Sequence, residues 1–149
     1  FDHTSKDLTS YATDRRSVYL PVIRNNLYDL FQLFDAPDAS VPNGDRATTT
    51  VPTQALFFMN GELAVRAADA LAGRLLAESD LDDAGRVGLL YATAYARPPS
   101  ANEVQRVTAG VAGFRAEFAA ETDAAKRERK AWAAVCQAAL AANEFIHIR

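Results

Sequence analysis

The sequence predicts an all-α fold, a single irregular bundle of about five helices with one long ordered loop near residues 35–50. Three observations carry that expectation. Apolar residues recur three and four positions apart in several separate stretches, the spacing of one helix face. Residues that start and stop helices stand at the ends of those stretches. Signs of extended structure are confined to short runs near the two ends of the chain.

Residues 1–14 are polar and aperiodic and read as an upstream tail or linker, and residues 15–149 read as one helical domain. The run Ser17-Val18-Tyr19-Leu20-Pro21-Val22 favours an extended conformation, because Pro21 biases Leu20 away from helix. Leu27, Leu30, Phe31 and Phe34 fall at helical spacing, with Asn25 or Asn26 as cap and Pro37 as stop. Residues 35–47 carry turn signals throughout, and Asn43-Gly44 marks a tight turn. Pro52 opens a second helical region, since its missing N–H would be unpaired in a first turn anyway. Leu56, Phe57, Phe58 and Met59 form the densest apolar cluster, and Asn60-Gly61 interrupts or bends the helix. The helix resumes through Leu63, Ala64, Ala67, Ala68, Leu71 and Leu75, a stripe whose small residues let another helix approach closely.

A helix over residues 83–96 presents Val87, Leu90, Tyr91, Ala94 and Tyr95, and Arg97-Pro98-Pro99 stops it. Ser100 and Glu103 have the spacing of a capping box, and the helix they open carries Val104, Val107, Val111, Phe114 and Phe118. A final helix over residues 127–143 presents Trp132, Val135, Cys136, Ala139 and Leu140. Residues 144–149 alternate apolar and polar. They read as a last helical turn or as a short strand, with 144–148 pairing with 17–22.

A chain of 149 residues is the size of one domain and can bury about two-thirds of its unfolded surface. Hydrophobic residues make up 49%, too many for wholesale disorder. The net charge of −3 gives no global field for a polyanion, so no nucleic-acid partner is expected. The single cysteine, Cys136, cannot form an intrachain disulfide or a Cys-pair zinc site. No apolar run approaches the roughly 20 residues that span a bilayer, so no membrane span is expected. The chain begins Phe1-Asp2-His3 without a methionine or a signal pattern, which reads as a piece of a longer polypeptide.

Chemistry is sparse. His3 and His147 are the only histidines and lack ligand partners at helical spacing, so no metal site is expected. No Cys-x-x-Cys-His motif is present, so this segment attaches no c-type haem. Asp35, Asp38 and Asp45 are of calcium-ligand type, but neither Asp35 nor Asp38 is followed by the glycine and glutamate of a calcium loop. No nucleophile elbow and no glycine-rich phosphate loop occur, and Cys136 lies in an apolar stripe where a cysteine acts as a small hydrophobe. The basic run Lys126-Arg127-Glu128-Arg129-Lys130 reads as a solvated helix start. The turn at residues 96–100 superficially resembles a helix-turn-helix. Its second helix offers Asn102, Glu103, Gln105 and Arg106, too few cations to hold phosphates. No catalytic residue is assigned.

The candidate site residues are the polar ones of the first third: Arg15, Arg16, Arg24, Asn25, Asn26, Asp35, Asp38, Arg46, Thr49, Gln54 and Asn60. They alternate with apolar residues that must be buried. They are expected to form a hydrogen-bond network that pins the long loop onto the helices. The competing reading is a polar pocket for a carbohydrate or an anionic ligand.

Five ordered motifs point further. They are residues 15–26, 34–38, 50–60 and 95–103, and the segment from Trp132 through Asn143-Glu144-Phe145. Together they resemble the planctomycete-specific domain of unknown function 1553, from about Arg15 to the end. That resemblance implies a C-terminal module of large exported bacterial proteins, which often carry an upstream cytochrome-c-like domain. Haem would belong to that neighbour, and no cofactor is expected in this segment. The resemblance supplies no catalytic residues. The function expected is a non-catalytic helical module that mediates inter-domain, partner or ligand interaction in an extracytoplasmic setting. The alternatives are an enzyme or accessory module acting on polysaccharide, and a docking surface for the upstream cytochrome.

Overall fold

The computed structural model describes residues 16–20, 22, 27–37, 44 and 52–146. Among them the fold is all-α, with seven α-helices, two 3-10 turns and no strand. The helices are α1 (Asp29–Leu33), α2 (Pro52–Asn60), α3 (Glu62–Ala77), α4 (Asp83–Tyr95), α5 (Ala101–Glu117), α6 (Ala124–Leu140) and α7 (Asn143–Ile146). The count exceeds the expected five because the second helical region divides at Gly61 into α2 and α3, and because the residues after α6 add the four-residue α7. The chain divides into two compact units, Phe1–Gln54 and Ala55–Arg149.

In the first unit, Ser17–Tyr19 is a 3-10 turn, closed by Tyr19 N–H to the Arg16 carbonyl at 2.9 Å and Leu20 N–H to the Ser17 carbonyl at 3.0 Å. The expected strand over 17–22 is therefore corrected. Here the local turn bonds overrule the extended propensity of Val18 and Tyr19. Helix α1 begins after Tyr28, whose ring meets Phe31 edge-on at 5.3 Å. The asparagines proposed as its cap lie outside the described residues. It closes at Asp35, which takes φ 53°, a left-handed conformation that aspartate tolerates better than most residues. Of the long loop, residues 38–43 and 45–51 also lie outside the described residues. Gln54 is buried and its side-chain amide donates to the Leu33 carbonyl at 2.9 Å, tying the first turn of α2 to the end of α1.

The second unit is built around α6, which packs on α3, α4, α5 and α7. Ala64, Ala68 and Ala72 are buried along one side of α3, joined there by Leu75. Facing helices supply Val87, Leu90 and Tyr91 from α4, Val111 from α5, and Trp132, Val135 and Cys136 from α6. Each large aliphatic side chain so buried contributes about 1.5–3 kcal/mol of transfer free energy. Helix starts are fixed locally. Asp82 accepts from Gly85 N–H at 2.8 Å to cap α4, and Ser100 with Glu103 forms the expected capping box of α5. Helix α4 ends at Ala96 in the left-handed region, φ 54°.

Helix α6 starts at Ala124, three residues before the expected position. Asp123 accepts from the amides of Ala125 and Lys126 and takes the cap. The alternating residues after Asn143 fold as α7, bonded back to the Ala142 carbonyl from Phe145 and Ile146, so the strand over 144–148 is corrected through Ile146.

The break between α2 and α3 comes at Gly61, as expected. A Cβ on Gly61 would stand 2.6 Å from the Phe57 carbonyl oxygen. Gly61→Ala is expected to cost about 1–2 kcal/mol, because the overpacking exceeds the gain from a stiffer unfolded chain. Thermal unfolding checks this. An unchanged midpoint would show that the junction yields freely.

Candidate functional site

Two arginine clusters organise the polar surface of the second unit. At the turn between α4 and α5, Arg97 forks onto Glu103 at 2.7 and 3.0 Å and onto Glu144 at 2.5 and 2.9 Å. Its guanidinium also lies over the rings of Tyr91 and Tyr95, 5.1 and 5.8 Å from their centroids. The Pro98-Pro99 turn and the capping box bring Glu103 to Arg97, and α7 brings Glu144. The guanidinium, with the Ser100 amide and hydroxyl, holds Glu103 at a pKa of about 2.

The second cluster ties α4, α5 and α6. Arg115 donates to Asp83 at 2.6 and 2.8 Å and to Glu128 at 2.5 and 2.7 Å. Trp132 adds its indole N–H to Glu128 at 3.0 Å. Hydrogen bonds from Arg115 hold both carboxyls below the usual carboxylate range, against a smaller opposing push from burial. On α6, Arg129 forks onto Asp69 and Lys130 pairs with Glu121 at 2.7 Å, so two cations of the basic run are neutralised by carboxylates. Cys136 is fully buried, which pushes its thiol up to about 12, and it packs as the small hydrophobe expected. Among the described residues, no three His, Cys, Asp or Glu side chains gather as a metal-ligand group. No helix among them is long and apolar enough to cross a membrane.

Beside the Arg97 cluster runs a groove of about 290 Å³. Leu90, Tyr91 and Tyr95 line it from α4, Arg106, Gly110 and Phe114 from α5, and small alanines from the end of α6. The Tyr95 hydroxyl donates to the Ala139 carbonyl at 2.9 Å, and burial raises its pKa, so it keeps its proton.

The candidate residues of the first third fare unevenly. Arg15, Arg24, Asn25, Asn26, Asp38, Arg46 and Thr49 lie outside the described residues. Arg16 is exposed, Asp35 is half-buried in its left-handed turn, and Gln54 is buried on the Leu33 carbonyl. Asn60 is exposed at the end of α2 and donates to the Leu56 carbonyl at 3.2 Å. Gln54 thus reaches the backbone two residues before Asp35. The arginine forks and the groove were not among the candidates. Only the Ser-x-x-Glu spacing hinted at one of their members, Glu103.

A helical unit whose strongest acids are clamped by guanidinium forks belongs to the class of packed helical modules, and no general acid or base is poised among the clamped groups. The chain belongs to the family described as PSD1, protein of unknown function (DUF1553), whose model matches residues 2–111. The match takes in residues 2–14 and stops at Val111, inside α5, whereas the motifs read from the sequence run from Arg15 to the end. No curated protein and no solved structure matches the chain.

Proposed function

We propose that the chain is a non-catalytic helical C-terminal module of a large exported multidomain bacterial protein, where it binds a neighbouring domain of the same polypeptide. One observation carries this reading. Leu56, Met59, Leu63 and Val65, all within ten residues around the α2–α3 junction, leave 53, 59, 47 and 45% of their surface in water. Large apolar side chains exposed together mark interaction surfaces more often than ordinary surface. The clamped state of Asp83, Glu103 and Glu128 supports a binding role over acid–base work, since a working acid or base has its pKa near the operating pH. The export setting and the neighbour, a planctomycete-type cytochrome c domain, rest on the family resemblance.

The test is calorimetric titration of the chain with the neighbouring domain of its parent polypeptide. The double variant Leu56→Asp/Met59→Lys is expected to bind at least about tenfold more weakly, a loss of about 1.4 kcal/mol, with an unchanged melting temperature. Equal affinity for variant and wild type would retire this surface.

A further inference from the structure

We propose that the groove along α5 binds a medium-chain carboxylate, an alkyl tail lying over Gly110 with its carboxylate on Arg106. The groove is distinct from the α2–α3 surface and its ligand does not depend on that reading.

Its shape comes first. At about 290 Å³ it stands at the small end of ligand pockets, large enough for a slender chain and too small for a bulky ring system. Arg106, Gly110 and Phe114 follow one another at four-residue intervals on α5, so they form a single stripe. From the first to the last is about 12 Å along the helix axis, the reach of a medium-length tail. Gly110 sits within α5, where glycine costs about 1 kcal/mol against alanine. Nothing lies within 4 Å of a Cβ placed there, so packing does not demand the glycine. What its missing side chain does is keep the floor open. The facing wall is equally pared back, with Ala138, Ala139 and Ala142 where larger side chains would close the trough.

Charge selects the head group. Arg106 is the one charged residue lining the groove, and it is exposed at the opposite end of the stripe from Phe114. The neighbouring arginines Arg97, Arg115 and Arg129 each fork onto carboxylates of the chain. Arg106 has no hydrogen bond or ion pair to any described residue, so its planar fork is available to a carboxylate from outside. The Tyr95 hydroxyl has already spent its proton on Ala139, and Arg106 is the cationic donor at the groove. An apolar trough with a guanidinium at one end complements an amphipathic acid better than a neutral lipid or a sugar.

Calorimetric titration of the 149-residue chain with decanoate and with decanol, below micelle formation, tests the assignment. Decanoate is expected to bind saturably and at least about tenfold more tightly than decanol. Arg106→Gln should bring decanoate down to the affinity of decanol. Gly110→Leu, which favours helix and meets open space, should abolish binding of both while circular dichroism confirms the fold. The proposal is overturned if the wild-type chain shows no saturable heat with decanoate, if Gly110→Leu binds as wild type does, or if Arg106→Gln leaves the preference for the acid intact.

Discussion

Trp132→Ala is expected to lower the stability of the second unit by about 3–5 kcal/mol, the range for emptying a fully buried aromatic site. The indole has no measurable exposure and belongs to the same cluster as Leu75, Leu90 and Val111, each also buried. Helices on every side are pinned by other contacts, so the site cannot collapse cheaply onto the void. A second loss adds to the first. The indole N–H that bonds Glu128 at 3.0 Å disappears, which leaves that carboxylate with Arg115 alone. For a unit of about this size each kcal/mol moves the midpoint by about 4–8 °C, so a fall of about 12–40 °C should be seen by circular dichroism. Trp132→Phe separates the terms. It keeps most of the volume and removes the N–H, and should cost about 1–2 kcal/mol. A loss under about 1 kcal/mol for the alanine variant would contradict the placement of Trp132 at the centre of the unit.

The sequence carries this core well and for a definite reason. Trp132, Val135 and Cys136 recur at helical spacing on one face, and so do Leu75 on α3 and Val87, Leu90 and Tyr91 on α4, each stripe readable within one helix. The capping box at Ser100 and Glu103 and the break at Gly61 are equally local. The departures occur where a competing local signal was weaker in pattern than in energy. Val18 and Tyr19 look like strand residues, yet a 3-10 turn bonds the Tyr19 and Leu20 amides locally, without a partner strand. Asp123 outranked the later basic residues as the start of α6 because one carboxylate takes two free amides there.

The polar sites were far less legible. Arg115 finds Asp83 across 32 positions and Glu128 across 13, and Arg97 finds Glu144 across 47. No spacing rule reaches so far, because those pairs exist only once the helices have assembled. The groove is hidden for the same reason. Gly110 reads as a mild flaw in α5 until the alanines at the end of α6 are set opposite it. Arg106 reads as one surface cation among 16 basic residues until its neighbours Arg97, Arg115 and Arg129 are seen to fork onto carboxylates. The polar residues of the first third, by contrast, caught attention through composition. Of those described, only Gln54 is buried, on a carbonyl of α1.

Arg115→Met should cost about 2–3 kcal/mol at neutral pH, and the deficit should shrink as the solution is acidified. Removing one member of a buried ion cluster strands the rest, at about 3–5 kcal/mol when burial is complete. Here the side chains of Arg115, Asp83 and Glu128 retain 32, 25 and 30% of their exposure, so solvent screens part of the loss. In the wild-type unit both carboxyls titrate below their ordinary values of 3.8 and 4.5, chiefly through the hydrogen bonds from Arg115. A depressed acid contributes stability above its unfolded pKa and loses it as pH falls toward the folded one. Wild-type stability should therefore decline from about pH 5 downward. Without Arg115, Asp83 keeps only its longer pair with Arg86 at 3.7 Å and Glu128 only the Trp132 indole, so mutual repulsion and partial burial weigh more heavily against ionisation. Their folded pKa values move up, so protonation relieves the variant over the same window in which it weakens the wild type. The two stability curves should converge between about pH 5 and pH 3, followed through the fluorescence of Trp132, the single tryptophan. A gap that stays constant over that range would show that Arg115 acts by packing its aliphatic stem and not by holding the two carboxylates.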